Sequence, residues 1–449
     1  MNKRLAEHGI LIASVVKWVF LATIVGIVAG AGAALFLKLL GISSDATGRY
    51  SYYFLIMPVA FLLSAQLIHR LSPDAEGHGT EKVVEAVNKS RGRIKAAVVP
   101  VKALTTIITI AAGGALGKEG PCAQIGAGLA SMFAGIFRFG DTDRRKLVIC
   151  GIGAGFAAVF GTPIGGAFFG VEVLAIGSLS YDVLLPSLIA GVVGYQMAAY
   201  LGVHYLYHIY KSPLPFDSVI FAKVILAGMF FGLCSIMLIE ISRLGEYFSE
   251  KWNLRRSWKP VLGGLILAGM AILFSRKYLG MGLESIDASL SGKHQPVDAF
   301  ALKSVFTSLT LAFGGSGGIV TPVFFIGSTA GAAFAQLLGL DIALFAAIGL
   351  VAVLAGAANT PLAAGIISIE LFGPTVAPYA IVACAVSYLV TGHRSLFPAQ
   401  RLAVSKSSSI MVELDQDIQD VVPEFRYREK SLAGAVRSLV HAVKSKRGS

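Results

Sequence analysis

Glu119 is the residue in this sequence best placed to do chemistry. It stands in Gly117-Lys118-Glu119-Gly120-Pro121, within apolar sequence and just before an apolar stretch. An acid at membrane depth marks an ion or proton path by default. Pro121 suits the first turn of a helix, where its missing N–H costs nothing, and the glycines leave backbone N–H groups uncovered. A helix N-terminus carries about half a positive charge and free donors, so it binds anions. A carboxylate there can occupy the place an anion would take, and protonation would vacate it. Lys118 could instead pair with Glu119 as a structural ion pair, although consecutive residues rarely face the same way.

The second half of the chain carries a matching break, Gly318-Ile319-Val320-Thr321-Pro322. Pro121 and Pro322 are each expected to open a helix. Two N-termini meeting at the midplane would hold an anion without a full positive charge, which suits an ion that must also leave. His78 lies between Gly77 and Gly79. It is either a hydrogen-bonded histidine at a helix start or a group lining the anion path or relaying protons. Glu172 and Glu370 occupy equivalent places in the two halves, which points to a shared structural role: binding free backbone N–H groups.

The elements that must position these residues are apolar segments near 15–40, 52–69, 96–116, 121–137, 147–160, 163–176, 183–203, 218–241, 260–279, 299–313, 320–339, 342–357, 361–373 and 375–391. Many are shorter than the roughly 20 residues a straight spanning helix needs. Short segments broken by Gly and Pro are tolerated at membrane depth only where they face protein or a water-filled cavity. The signature is that of a transporter or pore. Three motifs recur in one order, about 200 residues apart. Gly77-His78-Gly79-Thr80-Glu81 matches Gly280-Met281-Gly282-Leu283-Glu284. The Gly117 motif, followed by Ile125-Gly126, matches the Gly318 motif, followed by Ile326-Gly327. Gly161-Thr162-Pro163-Ile164 with Glu172 matches Asn359-Thr360-Pro361-Leu362 with Glu370. The chain therefore reads as two related halves, roughly 50–210 and 215–395, and such repeats are often inverted with the site between them.

Composition agrees. The 449 residues are 55% hydrophobic and only 14% charged, where a soluble protein has about a quarter charged. The formal charge is +12, but the basic residues lie in short clusters: Lys3-Arg4, Lys89 to Arg93, Arg144-Arg145-Lys146, Arg255-Arg256 and Lys444 to Arg447. That is the positive-inside pattern, and no basic domain for nucleic acid is gathered anywhere. Cys122, Cys150, Cys234 and Cys384 sit in apolar segments without a CxxC pair and read as buried thiols. No metal or cofactor is expected. The first apolar stretch is too long for a cleavable signal. From 401 to 449 the chain is polar, with a basic, weakly amphipathic helix expected near 431–446. It reads as a cytoplasmic tail with a possible lipid contact, too short for a paired regulatory domain.

At these motifs the chain resembles the CLC family of chloride channels and chloride/proton antiporters, over roughly residues 15–400. Gly117-Lys118-Glu119-Gly120-Pro121 looks like the family's G-[RK]-E-G-P, which implies that Glu119 is the gating glutamate. Gly318-Ile319-Val320-Thr321-Pro322 is similar to G-x-F-x-P, whose backbone amides bind the central anion, and this carries to Val320 and Thr321. Gly77-His78-Gly79-Thr80-Glu81 stands where the family has G-S-G-I-P. The resemblance implies an all-α polytopic membrane fold of two inverted repeats of short, tilted and broken helices. It also implies a homodimer with one pathway per subunit, and cytoplasmic ends, in a bacterial or archaeal cell membrane. The anion site would comprise His78, Gly79, Lys118, Glu119, Gly120, Ile319, Val320, Thr321 and Phe397.

The departures are informative. His78 replaces a serine hydroxyl donor, Phe397 falls where many members have a tyrosine, and Val320 replaces a phenylalanine. Val173 falls where the antiporters keep an internal proton-accepting glutamate. The backbone donors survive, so anion binding is expected, chloride first, through a passive or weakly proton-coupled pathway. The alternative is a proton-coupled antiporter of chloride or fluoride, with Glu119 and His78 or a water chain relaying protons; the fluoride/proton antiporters of the family depart at several of the same positions. An intramembrane enzyme would need a nucleophile–base or metal pair, and no HExxH motif occurs.

Overall fold

A chain surrounded by hydrocarbon must satisfy its backbone hydrogen bonds internally, which leaves the helix as the available element for apolar segments of this kind. The structure, a computed structural model, describes residues 3–205, 207–210, 217–252 and 258–425. Among them are sixteen α-helices. The first eight are α1 (Lys3–Gly48), α2 (Met57–Leu71), α3 (Thr80–Lys89), α4 (Val98–Ala111), α5 (Glu119–Ile136), α6 (Asp141–Phe160), α7 (Pro163–Glu172) and α8 (Tyr181–Tyr200). The second eight are α9 (Ser218–Lys251), α10 (Trp258–Leu273), α11 (Leu283–Leu290), α12 (Ala299–Ala312), α13 (Val320–Leu338), α14 (Ile342–Ala358), α15 (Pro361–Phe372) and α16 (Ala377–Thr391). Five helices are long and apolar enough to cross a membrane, and six further apolar helices have only 10–17 residues. The broken, short-segment pattern expected from the sequence is the pattern observed.

The order of long and short helices in α1–α8 recurs in α9–α16. The relation between the two series is visible where they meet. The Gly117 N–H donates to the Gly318 carbonyl at 2.7 Å, and the Gly318 N–H returns to the Gly117 carbonyl at 2.6 Å. Equivalent residues thus pair antiparallel, as a two-fold axis between inverted halves requires. The same exchange recurs nearby. The Ser316 N–H donates to Thr109 Oγ1 at 3.1 Å, and the Ala115 N–H donates to Thr310 Oγ1 at 3.2 Å. The fold is therefore the all-α, inverted-repeat architecture.

Each half buries one helix at its own centre. In α14 every residue from Leu344 to Ala358 is buried, and α6 is buried from Leu147 to Val159. A helix that is apolar on all sides belongs inside. The helices after the two central motifs begin at Glu119 and Val320, two residues before Pro121 and Pro322. The prolines sit in the first turn and do not open it. Those N–H groups have no helical acceptor, so a proline two residues in costs no more than one at the start.

The expected role of Glu172 and Glu370, binding free backbone N–H groups, is observed, and the two do it reciprocally. Glu172 ends α7, and its carboxylate accepts from the Leu362 and Ala363 N–H groups at 3.1 and 2.7 Å, in the first turn of α15. Glu370, near the end of α15, accepts from Ile164 and Gly165 at 2.9 and 2.8 Å, in the first turn of α7. Each half caps a helix of the other.

After Phe397 the chain folds back onto the helices. Strand β2 (Arg401–Leu402) pairs parallel with β1 (Ala175–Ile176), and β3 (Ile410–Met411) pairs antiparallel with β4 (Glu424–Phe425). Ile176, Leu402 and Ile418 form a small core there. Lys89 Nζ meets Asp417 at 2.5 Å. The helix expected near 431–446 lies outside the described residues.

Candidate functional site

The N-termini of α5 and α13 face each other across the Gly117–Gly318 pairing. Glu119 is the first residue of α5 and is fully buried. Its Oε2 accepts the Thr321 N–H at 3.0 Å, and its Oε1 accepts the Thr321 hydroxyl in a short hydrogen bond. The carboxylate therefore occupies the donor end of α13, where the helix dipole and an unpaired N–H favour a negative charge. Thr321 contributes a side-chain donor in addition to the amide. Lys118 is half-buried and forms no ion pair with Glu119 among the described residues. Ile319 and Val320 are buried at 2% and 1% exposure and complete the start of α13.

The start of α3 packs against this point. Gly79, with φ of +85°, sets its Cα so that a Cβ would lie 2.8 Å from the Gly120 carbonyl. At Gly120 a Cβ would overlap the His78 carbonyl oxygen. Only glycine lets the two backbones approach this closely. His78 then reaches Phe397, with ring centroids 5.4 Å apart. Its Nδ1 is buried and without a partner. Phe397 is fully buried, and its N–H donates to Ser395 Oγ at 2.9 Å. The structure thus brings His78, Gly79, Glu119, Gly120, Ile319, Val320, Thr321 and Phe397 into one region, with Lys118 at its edge.

Two cavities approach from the repeat-related motifs. One, of about 570 Å³, is lined by Gly77, His78, Lys82, Lys259 and Gly314 among others. The other, of about 520 Å³, is lined by Gly280, Met281, Gly282 and Arg276 among others. The first motif of each half therefore opens onto its own cavity, and Glu119 belongs to neither lining.

Two buried lysines went unremarked in the sequence. Lys102 Nζ donates to the Ala75 and Gly77 carbonyls at 3.2 and 2.5 Å and to Ser316 Oγ at 3.1 Å. Lys303 Nζ donates to the Tyr278 and Gly280 carbonyls at 3.0 and 2.7 Å. Both are fully buried. Each holds the loop that carries the first motif of its half. A lysine at the same place in two equivalent apolar helices, α4 and α12, was the available signal, since intramembrane cations are rare and paired with carbonyls.

Where the sequence has Val173, the side chain is fully buried. Its carbonyl accepts from Gln400 Nε2 at 2.8 Å, and the same amide donates to the Ala358 carbonyl at 2.8 Å. That position holds packing and backbone hydrogen bonds but no titratable group.

The comparisons with known proteins bear on the family and the fold. Residues 60–392 match the family model described as voltage gated chloride channel. The chloride/fluoride channel protein of Pseudomonas syringae pv. tomato is 36% identical over 403 residues, covering 88% of this chain and 89% of that protein. The crystal structure of a CLC-type fluoride/proton antiporter superposes with a TM-score of 0.82 at 28% identity, over 86% of this chain and 98% of that one. A slow cyanobacterial Cl−/H+ antiporter shares the fold, with a TM-score of 0.74 at 21% identity over 84% of this chain and 94% of that one. A family model spanning most of the helical region, with inverted halves meeting at paired helix N-termini, makes this chain a member of the voltage gated chloride channel (CLC) family.

Proposed function

We propose that this protein carries a small anion, fluoride or chloride, across the cell membrane, coupled to protons, with Glu119 as the gate. The observation that carries the reading is the Glu119 carboxylate seated on the N–H and hydroxyl of Thr321. That seat is an anion site, and the carboxylate is its internal occupant. An arriving anion competes with a tethered charge for the same donors. Protonation of Glu119 removes the charge, weakens its hold on the donors and frees them. Each vacated site is thus linked to one proton on the gate. The Thr321 amide and hydroxyl, with the Val320 amide, then hold the anion as charge-free donors that also release it.

Fluoride as a substrate is supported by two features. The site offers compact donors, two amides and one hydroxyl, and the Phe397 ring brings no hydroxyl to it. Similarity to a chloride/fluoride channel protein and a fluoride/proton antiporter supports the same choice. His78 is a wall of the path, with a ring nitrogen free to meet the anion or a proton. We place the basic clusters on the cytoplasmic side. Ion pairs tie Arg91 and Arg93 to Asp141, Lys17 to Asp143, and Lys89 to Asp417, which gathers these loops and the segment after Phe397 on one face. In the proposal the chain works as a homodimer with one pathway per subunit, as the family resemblance implies.

Proteoliposomes loaded with fluoride or chloride test this, with ion-selective and pH electrodes recording both fluxes. Anion efflux should drive protons uphill and should rise as external pH falls. Efflux that moves no protons would sink the coupled reading and leave a passive pathway.

A further inference from the structure

The carboxyl group of Glu81 lies against the same loop as the anion site and has no part in the arrangement above. Glu81 is the second residue of α3. Its Oε1 accepts the Ala399 N–H at 2.9 Å, while Oε2 is buried and has no partner. Three residues earlier, His78 also carries a buried atom without a partner, Nδ1. A buried polar atom without a hydrogen bond is costly and calls for an explanation. Here two of them, both on proton-binding groups, occur within four residues.

The segment His78–Glu81 spans the distance between the gate and the polar face. At one end the His78 carbonyl packs on Gly120, the neighbour of Glu119. Its ring meets Phe397. At the other end Glu81 touches Ala399, and Asn88 of the same helix holds the Ala399 carbonyl at 3.0 Å. Beyond Glu81 lie the surface charges that face it: Lys82 and Glu85 on α3, paired at 3.2 Å, and Asp417 from the folded-back segment, paired with Lys89. Asn88 and Glu81 together suffice to fix the loop mechanically. A clamp alone needs only the one oxygen that Ala399 uses, and any acceptor would serve.

We infer that Glu81 is the proton-relay residue between the polar face at Lys82, Glu85 and Asp417 and the gate at Glu119, with the His78 imidazole as the intermediate station. The Glu81 carboxylate takes a proton from water at that face and becomes a neutral acid. It passes the proton to a His78 ring nitrogen, and the imidazolium, short-lived because it is buried and faces Lys102 of α4, passes it at once to the Glu119 carboxylate. Glu81 and His78 return to their starting forms, and Glu119 leaves its seat on Thr321 as a neutral acid. The direction reverses with the gradient. This inference rests on the proton-coupled reading of the site.

Glu81→Gln separates relay from clamp, because the amide oxygen still accepts the Ala399 N–H but the group cannot carry a proton. In proteoliposomes the variant should keep anion flux within about threefold of wild type while proton flux falls about tenfold or more, the scale of losing a proton-transfer group. Glu81→Asp, which keeps a carboxyl, should recover part of the proton flux. An unchanged proton-to-anion ratio in Glu81→Gln would overturn the relay, and so would an equal loss of both fluxes, which a structural clamp produces. A wild-type protein that moves no protons overturns the relay as well, and that trace by itself identifies the failure as one of the coupled reading.

Discussion

The two helix starts that meet at the centre have the same backbone and different chemistry. At α5 the sequence is Lys118-Glu119-Gly120, and at α13 it is Ile319-Val320-Thr321. Glu119 and Val320 are equivalent positions, as are Gly120 and Thr321. One half supplies the charge and the other supplies the donors that receive it. The symmetry builds a site with two N-termini, and in the proposed function the asymmetry makes it a gate, because a carboxylate on both sides would repel itself and donors on both sides would hold the anion with nothing to displace it. Crowding explains why the two halves could not simply exchange roles. Gly120 lies under the His78 carbonyl and admits no side chain, whereas Thr321 lies where its hydroxyl reaches across to Glu119.

The comparison breaks most sharply at the charge. Glu119→Gln keeps the size and removes the titration, so proton movement should be lost and anion flux should no longer vary with external pH. Retention of wild-type coupling and pH response in the electrode assay would remove Glu119 from the gate. Next in size is Gly120→Ala. One methyl against a backbone carbonyl is overpacking of the kind that costs about 1–3 kcal/mol, so thermal unfolding in detergent should begin at a lower temperature, with flux lost in parallel.

The cross-capping carboxylates sharpen the comparison between halves without touching the gate. Glu172→Ala should destabilise more than Glu370→Ala, each by about 1–2 kcal/mol as for a lost helix cap. Glu172 is only 6% exposed, whereas Glu370 is half-buried. A thermal-shift comparison of the two variants checks the order. Smallest is Thr321→Val, which removes one donor and keeps the amide. A hydrogen bond to a charged group is worth about 1.5 kcal/mol, so the seated fraction of Glu119 should fall roughly tenfold relative to the released one. Basal anion flux at alkaline pH should rise, while Thr321→Ser should stay near wild type. Identical behaviour of the two variants would place the hydroxyl outside the gate.

Much of this was legible in the sequence because it depends on local order. The repeat is written in Gly and Pro placement, which is chemically forced: motifs spaced by the same interval must form the same turns and helix starts. That Glu172 and Glu370 bind backbone N–H groups followed from their equivalence, since a shared role in two halves points to a shared kind of target; that each binds the other half did not. Lys102 and Lys303 were equally repeated but were hidden inside helices whose apolar character dominated the reading. Glu81 gave no signal beyond membership in a motif, because its importance depends on which loop packs over it.

The sequence by itself determined that this is a polytopic helical membrane protein of two related halves, with an acid at a broken helix. Composition, the length of apolar runs and the repeat interval are one-dimensional quantities, and they suffice for that. Only the tertiary structure decided what the acid touches. The pairing of Gly117 with Gly318 brings together residues some 200 positions apart, and such long-range approaches depend on how whole helices pack. Thr321 receives Glu119, Phe397 meets His78, and Ala399 meets Glu81, because the halves are inverted and the chain after α16 returns beneath α3. None of these contacts can be read from spacing, since each joins segments that are distant along the chain and adjacent only after folding.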